Sequence, residues 1–390
     1  MNTDQNSKLK TALITGGRSP AALELARQFH ALNYRVLLAE SMPNYLSKVS
    51  SAVDAIFTVA PPNQNPVQFI RDLKKIIVEH QVDLFIPTCE EVFFVSRGLN
   101  ELATLCTVCV DQAEKLALLH SKWEFNQEVA RLGMNAPKTF LARNAIDLSA
   151  LLTGLRPVVI KPVFSRFASK AYILKTPEQK LPEIVISPEY PWVVQEFISG
   201  REICTYSVAK NGQLLAHVTY DHRFTAGKGA GISFEAIQNE AALRWVTRFV
   251  KEMNFTGQLS FDFIENENGQ IYPLECNPRA TSGIHLFSPS DRLDKALAGH
   301  GDLKVPSVGS IATISIAMIL YGLPSIRSFK DSLEWIKIFF RAREVIFSWK
   351  DPMPFFNQFV CVYLLWRMSL GKNKSLLEMS THDIEWNGVE

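Results

Sequence analysis

The sequence predicts a protein of α/β plus α+β class: an N-terminal parallel α/β domain, an α+β middle and a largely helical C-terminal extension. Three observations carry that prediction. The first hundred residues alternate short apolar strands with amphipathic helices, the pattern of a parallel sheet with crossover helices. From Ser121 onward the β-rich runs are joined by Asn-Gly turns, at Asn211-Gly212 and Asn268-Gly269, which signal hairpins. Beyond about Gly299 the chain turns to Trp- and Phe-rich helical stretches. A length of 390 residues suits about two to four domains. The expected boundaries are 1–115, 116–300 and 301–390.

The elements follow in order. Thr11–Thr15 is an apolar strand. Gly16-Gly17-Arg18-Ser19-Pro20 is a turn in which Ser19 caps the next helix and Pro20 takes its first position. Ala22, Leu25, Ala26, Phe29 and Leu32 then recur at helical spacing. Val36–Ala39, Ala55–Val59, a helix from Val67 to His80, and Val82–Pro87 continue the alternation, giving a sheet of about four or five strands. Ligands of such sheets sit beyond the carboxyl ends of the strands. Two lips qualify, Gly16-Gly17-Arg18-Ser19 and Thr88-Cys89-Glu90-Glu91. The first is not GxGxxG, so the dinucleotide signal is weak. Glu40 nevertheless ends the second strand, where the ribose-binding acid of a dinucleotide site would stand.

Lys122 to Leu132 is an amphipathic helix closed by Gly133. Short β runs follow at Val158–Lys161, Ala171–Leu174, Trp192–Gln195 and Ile203–Ala209, then a helix from Glu240 to Met253. The last region holds an apolar segment, Ile311–Leu320, and helical stretches around Leu333–Phe347 and Phe355–Leu370. The final stretch is too short, and too interrupted by Asn357, Gln358 and Arg367, to span a membrane. Its aromatic side chains need cover, either from the core of the middle domain or from a homodimer contact.

Composition removes several function classes. Apolar residues make up 47% and charged residues 21%, which excludes a disordered chain. Lys plus Arg number 41 and Asp plus Glu 39, so no basic excess points to nucleic acid. The N-terminus, MNTDQNSKLK, lacks the apolar segment of a secretory signal. Of six scattered cysteines only Cys106 and Cys109 form a CxxC, with no second pair or nearby His to complete a zinc site. Reduced thiols and a cytoplasmic location are expected.

The chemistry concentrates in Gly257 to Arg279. A two-residue loop at Asn268-Gly269 pairs Glu267 with Gln270. Counting back sets Phe263 opposite Leu274, Asp262 opposite Glu275 and Phe261 opposite Cys276. Alternation then puts Phe261, Phe263, Leu274 and Cys276 on an apolar face and Ser260, Asp262, Glu275 and Asn277 on the other. Opposed carboxylates repel, so removing either should relieve the ligand-free protein. A hard divalent cation carrying a polyphosphate is their natural partner, because Mg²⁺ takes one or two carboxylates plus phosphate oxygens. Asn277 adds a carbonyl oxygen on the same face. Arg279 continues that face and can neutralise a phosphoryl group in its transition state.

The runs Gly257-Gln-Leu-Ser-Phe-Asp262-Phe and Leu274-Glu275-Cys276-Asn277-Pro278-Arg279 resemble the metal-binding hairpin of ATP-grasp ligases, the superfamily of the carbamoyl-phosphate synthetase large subunit and biotin carboxylase. Other segments match in the same order. Val158-Val-Ile-Lys161-Pro162 resembles the strand whose Lys contacts ATP phosphates. Val193-Val-Gln-Glu196-Phe-Ile198-Ser-Gly-Arg-Glu202 resembles the adenine hinge. The resemblance implies that the Glu196 carbonyl and Ile198 amide meet the adenine edge and Glu202 the ribose hydroxyls. It further implies that Lys122 supplies an earlier phosphate-binding cation. It covers about residues 10–300, so that 1–115 reads as a pre-ATP-grasp domain and 116–300 as the ATP-grasp domain, with a nucleotide lid at about 140–198.

One departure stands out. The loop after Lys161-Pro162, Val163-Phe-Ser-Arg-Phe-Ala-Ser169, has no glycine, although Ser165, Arg166 and Ser169 can still donate to phosphates. Gly227-Lys228-Gly229-Ala230-Gly231 has instead the makings of a mobile lid, with Lys228 or Arg223 reaching the phosphates on closure. The resemblance implies a carboxylate–amine ligase with ATP and Mg²⁺, or Mn²⁺ in its place. It would activate a small-molecule carboxylate as an acyl phosphate for attack by an amine-type co-substrate, releasing ADP. The rival readings are an ATP-dependent carboxylating or carbamoylating enzyme, a non-catalytic nucleotide-binding protein, and a dinucleotide-dependent oxidoreductase.

Overall fold

The computed structural model describes residues 9–154, 157–165, 170–176, 178–226, 230–371 and 376–388. The chain divides into two compact units that are not consecutive in sequence. One contains residues 1–113, 287–304 and 344–386. The other contains 114–286, 305–343 and 387–390. The leading segment of the first unit ends at residue 113, and residues 301–390 are not one segment. Their segments are shared between the two units, because each supplies strands, ties or cover to its own unit.

The first unit is built on five parallel strands, β1 (Thr11–Thr15), β2 (Arg35–Glu40), β3 (Ala55–Thr58), β4 (Leu84–Ile86) and β5 (Thr107–Val108), in the order β3-β2-β1-β4-β5. β1 is buried along its whole length, as a central parallel strand covered on both faces must be. Ser19 caps the helix Pro20–Ala31 by accepting from the Ala22 N–H at 3.2 Å. Gly16 has φ +74°, and a Cβ there would meet Thr88 Oγ1 at 2.4 Å, so only glycine lets the two lips approach. They are joined where Thr88 Oγ1 donates to the Thr15 carbonyl at 2.8 Å and Thr15 Oγ1 to Glu91 Oε1 at 2.8 Å.

Glu40 does not stand open for a ribose. Its carboxylate accepts from the Arg18 backbone N–H at 3.2 Å and Nε at 3.1 Å, forms an ion pair with Arg18 Nη2, and accepts from the Ser41 N–H at 2.8 Å. That correction removes the feature on which the dinucleotide reading rested. Residues 344–386 are tied into the same unit by Arg27, whose Nε donates to Asp351 Oδ2 at 2.9 Å and whose Nη atoms donate to the Val345 and Ile346 carbonyls.

The second unit carries two larger sheets. A four-stranded sheet, β6 (Thr139–Ala142), β7 (Val158–Pro162), β8 (Tyr172–Leu174) and β9 (Trp192–Glu196), is ordered β6-β9-β7-β8 and covers most of residues 139–196. The main sheet comprises β10 (Arg201–Lys210) and β11 (Gln213–Asp221). After a short pair, β12 (Thr225–Ala226) and β13 (Ala230–Gly231), it continues with β14 (Ser233–Ile237), β15 (Gly257–Glu265), β16 (Ile271–Asn277), β17 (Ile311–Thr313) and β18 (Arg343–Glu344). Its order is β16-β15-β10-β11-β14-β17-β18. The apolar face of β15 is pinned by an aromatic cluster. Phe261 lies 5.9 Å from Phe125, 5.2 Å from Phe249 and 5.0 Å from Trp245, which also meets Phe263 at 5.0 Å. Each such pair adds about 0.5–1.5 kcal/mol beyond area burial, so the hairpin has one face it can bury.

Among the described residues no helix is long and apolar enough to cross a membrane. The helix Met353–Ser369 is turned unusually. It buries Pro354 and Asn357 and leaves Met353, Phe356, Phe359, Val360, Val362, Tyr363 and Trp366 exposed. The buried Asn357 donates to the Tyr45 carbonyl at 2.8 Å.

Candidate functional site

The hairpin β15–β16 places Asp262 opposite Glu275, Phe261 opposite Cys276 and Ser260 opposite Asn277. Phe263, however, faces Pro273 rather than Leu274, and the register shifts between Asp262 and Phe263. The loop is one residue longer than the Asn-Gly signal suggests. Asn266 closes it, its N–H donating to the Gln270 carbonyl and its Oδ1 accepting from the Asn268 and Gln270 N–H groups. A β-bulge at Leu274 restores the count, so two offsets cancel before the carboxylates are reached. Leu274 leaves the apolar face, and Pro273 is buried there in its place.

Asp262 belongs to a row that crosses four strands, Tyr220–Cys204–Asp262–Glu275. Two lysines meet the end of that row. Lys122, at the start of the helix Lys122–Arg131, packs beside edge strand β16 and sets Nζ 3.0 Å from Glu275 Oε2 and 3.0 Å from the Ser165 carbonyl. Phe125, three residues on and fully buried, fixes that helix against β15. Lys161, on β7, donates from Nζ to the Leu274 carbonyl at 3.0 Å. The bulge leaves Leu274 without a register partner on β15.

The electrostatics follow from burial and opposition. Burial, then the facing Glu275, pushes the Asp262 carboxyl well above the usual carboxylate range. Burial also opposes ionisation of Glu275, but the Lys122 and Lys161 charges outweigh it and hold that carboxyl below its ordinary value. Burial draws the Lys161 ammonium down to about 8 against the attraction of Glu275. The expectation that removing either carboxylate relieves repulsion therefore holds for Asp262 alone. Glu275 is the counter-ion of two buried cations. Asn277 Nδ2 contacts Glu275 Oε1 at 3.5 Å, and Arg279 Nη2 contacts Asn277 Oδ1 at 3.3 Å, so the polar face continues through Arg279.

Glu196 ends β9 with an exposed side chain, and its N–H donates to the Lys138 carbonyl at 2.8 Å. Ile198 follows two residues on, half-buried in the connection to β10. Ser165 is brought to Lys122 by its carbonyl rather than its hydroxyl. Arg223 Nη1 lies 3.1 Å from Glu334 Oε1, on the helix Phe329–Arg341. Arg166, Ser169 and Lys228 lie outside the described residues.

His222 stands beside Glu202. Its Nε2 lies 3.5 Å from Glu202 Oε2 and its Nδ1 3.8 Å from Cys204 Sγ. The hydrogen bond to Glu202 raises the imidazole pKa and lowers that of the carboxyl. Counting back from Asn211-Gly212 would bring His222 opposite Glu202 only if the bulge at Val208/Ala209 were known. His217, by contrast, is structural: it is buried between Ser207 and Thr219 and drawn down to about 4 by burial.

Residues 119–283 match the family model of the ATP-grasp domain. This segment is an ATP-grasp domain. Its relatives agree on the family at low identity. The chain is 28% identical over 194 residues to the multifunctional protein URA2 of Saccharomyces cerevisiae, covering 46% of this chain and 8% of that protein. It is 23% identical over 188 residues to the carbamoyl phosphate synthase large chain of a Thermoanaerobacter species, covering 45% and 17%. The chain thus spans less than a fifth of the length of these curated relatives. Among solved structures, N5-carboxyaminoimidazole synthetase from Staphylococcus aureus with ADP superposes with a TM-score of 0.61 at 13% identity, over 81% of this chain and 86% of that one. Phosphoribosylamine–glycine ligase from Thermotoga maritima superposes with a TM-score of 0.59 at 18% identity, over 77% and 78%. These likenesses extend the shared fold beyond the ATP-grasp domain.

Proposed function

We propose that the chain is an ADP-forming ligase that uses ATP and Mg²⁺ to activate a carboxylate as an acyl phosphate for attack by an amine. The observation that carries this reading is the opposition of Asp262 and Glu275 on one hairpin, with Lys122 and Lys161 converging beside them. Among the described residues no three His, Cys, Asp or Glu side chains gather to hold a metal unaided. Two carboxylates and Asn277 suit instead a cation that completes its shell with phosphate oxygens. The raised Asp262 carboxyl fits that use, because a cation would favour its charged form.

Bound there, Mg²⁺ would supply charge neutralisation on the phosphate chain. The protein groups do the rest. Lys161 and Lys122 offer compact charges to phosphate oxygens. The Glu196 carbonyl and Ile198 N–H present an acceptor and a donor to the adenine edge. Glu202, oriented by His222, accepts from ribose hydroxyls. Arg279 faces the transferring group, and Ser165 supports Lys122. Arg223 is free to serve the phosphates only on leaving Glu334, and Arg166, Ser169 and Lys228 are further candidates for the phosphates.

ADP release in the presence of Mg²⁺, screened over paired amino acids and with bicarbonate as the sole acid, tests the reading. Acceptor-dependent release identifies a ligase, and release with bicarbonate alone identifies a carboxylating or carbamoylating enzyme. No release with any acid, despite ATP binding, rejects it in favour of a nucleotide-binding protein.

The outward face of Met353–Ser369 is our candidate for a homodimer contact. Four half-exposed aromatics there present roughly 400 Å², already in the range of the largest patch on an ordinary monomer. With Trp349, Met353, Val360, Val362 and Leu370, all exposed, the face approaches the ~800 Å² per partner of a stable interface. Six free cysteines support a reducing, cytoplasmic setting.

A further inference from the structure

The C-terminal segment Ser380–Trp386 lies across the carboxyl edge of the parallel sheet β3-β2-β1-β4-β5. The strand order reverses at β1, so the crevice beyond β1 and β4 is where sheets of this kind take their ligands. The segment touches the connection that follows each of four strands, a loop after β1, β2 and β3 and the helix Val92–Arg97 after β4. After β3, Asn63 Nδ2 donates to the His382 carbonyl at 2.6 Å and its N–H to the Asp383 carbonyl at 3.2 Å. After β2, Ser41 Oγ donates to Asp383 Oδ2 at 2.6 Å. After β1, Arg18 donates from Nη1 to Asp383 Oδ1 at 2.5 Å and from Nη2 to Oδ2 at 3.0 Å, and also from Nη1 to the Ser380 carbonyl at 3.0 Å. After β4, Phe93 stacks on Trp386 with ring centroids 4.9 Å apart.

Asp383 is thus a carboxylate held two-pronged by a buried guanidinium, in the geometry by which arginine recognises free carboxylates. Glu40 and Asp383 both pair with Arg18, and His382 Nδ1 lies 3.7 Å from Asp383 Oδ1. The fit is incomplete, since the Thr381 hydroxyl is buried with no partner among the described residues. A segment that belonged permanently to the core would not be expected to leave that hydroxyl unmet.

We propose that Ser380–Trp386 is a strap that fills the ligand crevice of this unit, its Asp383 holding the place of a substrate or effector carboxylate. When the strap lifts, Arg18 and Ser41 bind the carboxylate of a small molecule in the crevice. This proposal concerns the parallel-sheet unit and stands whether or not the ATP-grasp domain turns over nucleotide.

Asp383→Asn in the full chain removes the anion and keeps the shape. Amide exchange over residues 380–386 is expected to quicken by about tenfold. Succinate, titrated calorimetrically, is expected to bind the variant about tenfold more tightly than the wild type. Adding Arg18→Gln should abolish that gain. Inorganic phosphate in a parallel titration should bind more weakly than succinate, and equal or tighter binding would overturn the carboxylate assignment. Trp386→Ala loosens the strap while leaving Arg18 and Asp383 in place. It should show the same faster exchange and a smaller gain for succinate, and it decides the matter if Asp383→Asn does not fold. Folded variants with wild-type exchange, or with no gain in succinate affinity, overturn the proposal.

Discussion

Lys161 Nζ donates to the Leu274 carbonyl at 3.0 Å, and Leu274 is the residue that a bulge leaves out of register between the pairs Asp262–Glu275 and Phe263–Pro273. One irregularity therefore has two effects. It keeps the carboxylates opposed despite a lengthened loop, and it supplies an acceptor that holds a buried ammonium beside them.

The two carboxylates should separate by stability. Asp262→Asn should leave the ligand-free melting temperature level or higher, because burial and Glu275 both oppose its charge. Glu275→Gln should destabilise by about 3 kcal/mol, the order found when a buried pair loses one partner, since it strands Lys122, whose side chain is only 5% exposed. Both should abolish ATP-dependent turnover. Thermal melts with and without Mg·ATP check this, and equal melts for the two variants would contradict the asymmetry.

Lys161→Ala should weaken ATP by about 1.5–3 kcal/mol, the value of a charge-assisted contact, and leave adenosine almost unchanged. Calorimetric titration with both ligands reads the difference directly. Equal losses would place Lys161 away from the phosphates.

Acid should release the C-terminal segments of the first unit. Asp351 and Asp383 have carboxyl pKa values held below the ordinary value, burial working against them and Ser50, Arg27 and Arg18 prevailing. A carboxyl lowered on folding stabilises above its unfolded pKa, about 3.9, and that stability is lost as pH falls through the folded value. Hydrogen exchange followed from pH 6 down to about pH 3 should show loss of protection over residues 344–386. Asp351→Asn should lower stability at pH 6 and flatten the dependence.

Truncation after Gly301 should give an aggregated or unfolded chain. The first unit would lose the Asp351 tie to Arg27 and the second would lose β17 from the edge of β14. A soluble, monomeric product in size-exclusion chromatography would contradict this.

Replacing Phe356 and Trp366 together by Lys should convert a dimer to a monomer in light scattering without lowering the melting temperature of the monomer, because both side chains point outward. A wild-type monomer at micromolar concentration would remove the homodimer reading.

Much of this architecture was legible in the chain. The strands Thr11–Thr15 and Val158–Lys161 and the capping of Pro20–Ala31 by Ser19 follow from alternation and cap chemistry, both local rules, whereas the count that opposes Asp262 to Glu275 holds only because the bulge cancels the longer loop. The motifs around Lys122, Lys161, Glu196, Asp262 and Glu275 likewise marked the ATP-grasp domain, through their resemblance to that family's motifs taken in order.

What the chain could not disclose depends on contacts between distant segments. The bulges at Leu274 and at Val208/Ala209 leave no mark in side-chain type, and they decide which residue faces Lys161 and that His222 comes opposite Glu202. The division of residues 301–390 between two units, and the meeting of Asp383 with Arg18 across 365 positions, arise only once each unit has closed. Local sequence sets the period and face of each element, because those follow from backbone geometry. Partner choice for a buried charge is set by where the folded chain can desolvate it beside its opposite, and that is a property of the tertiary structure.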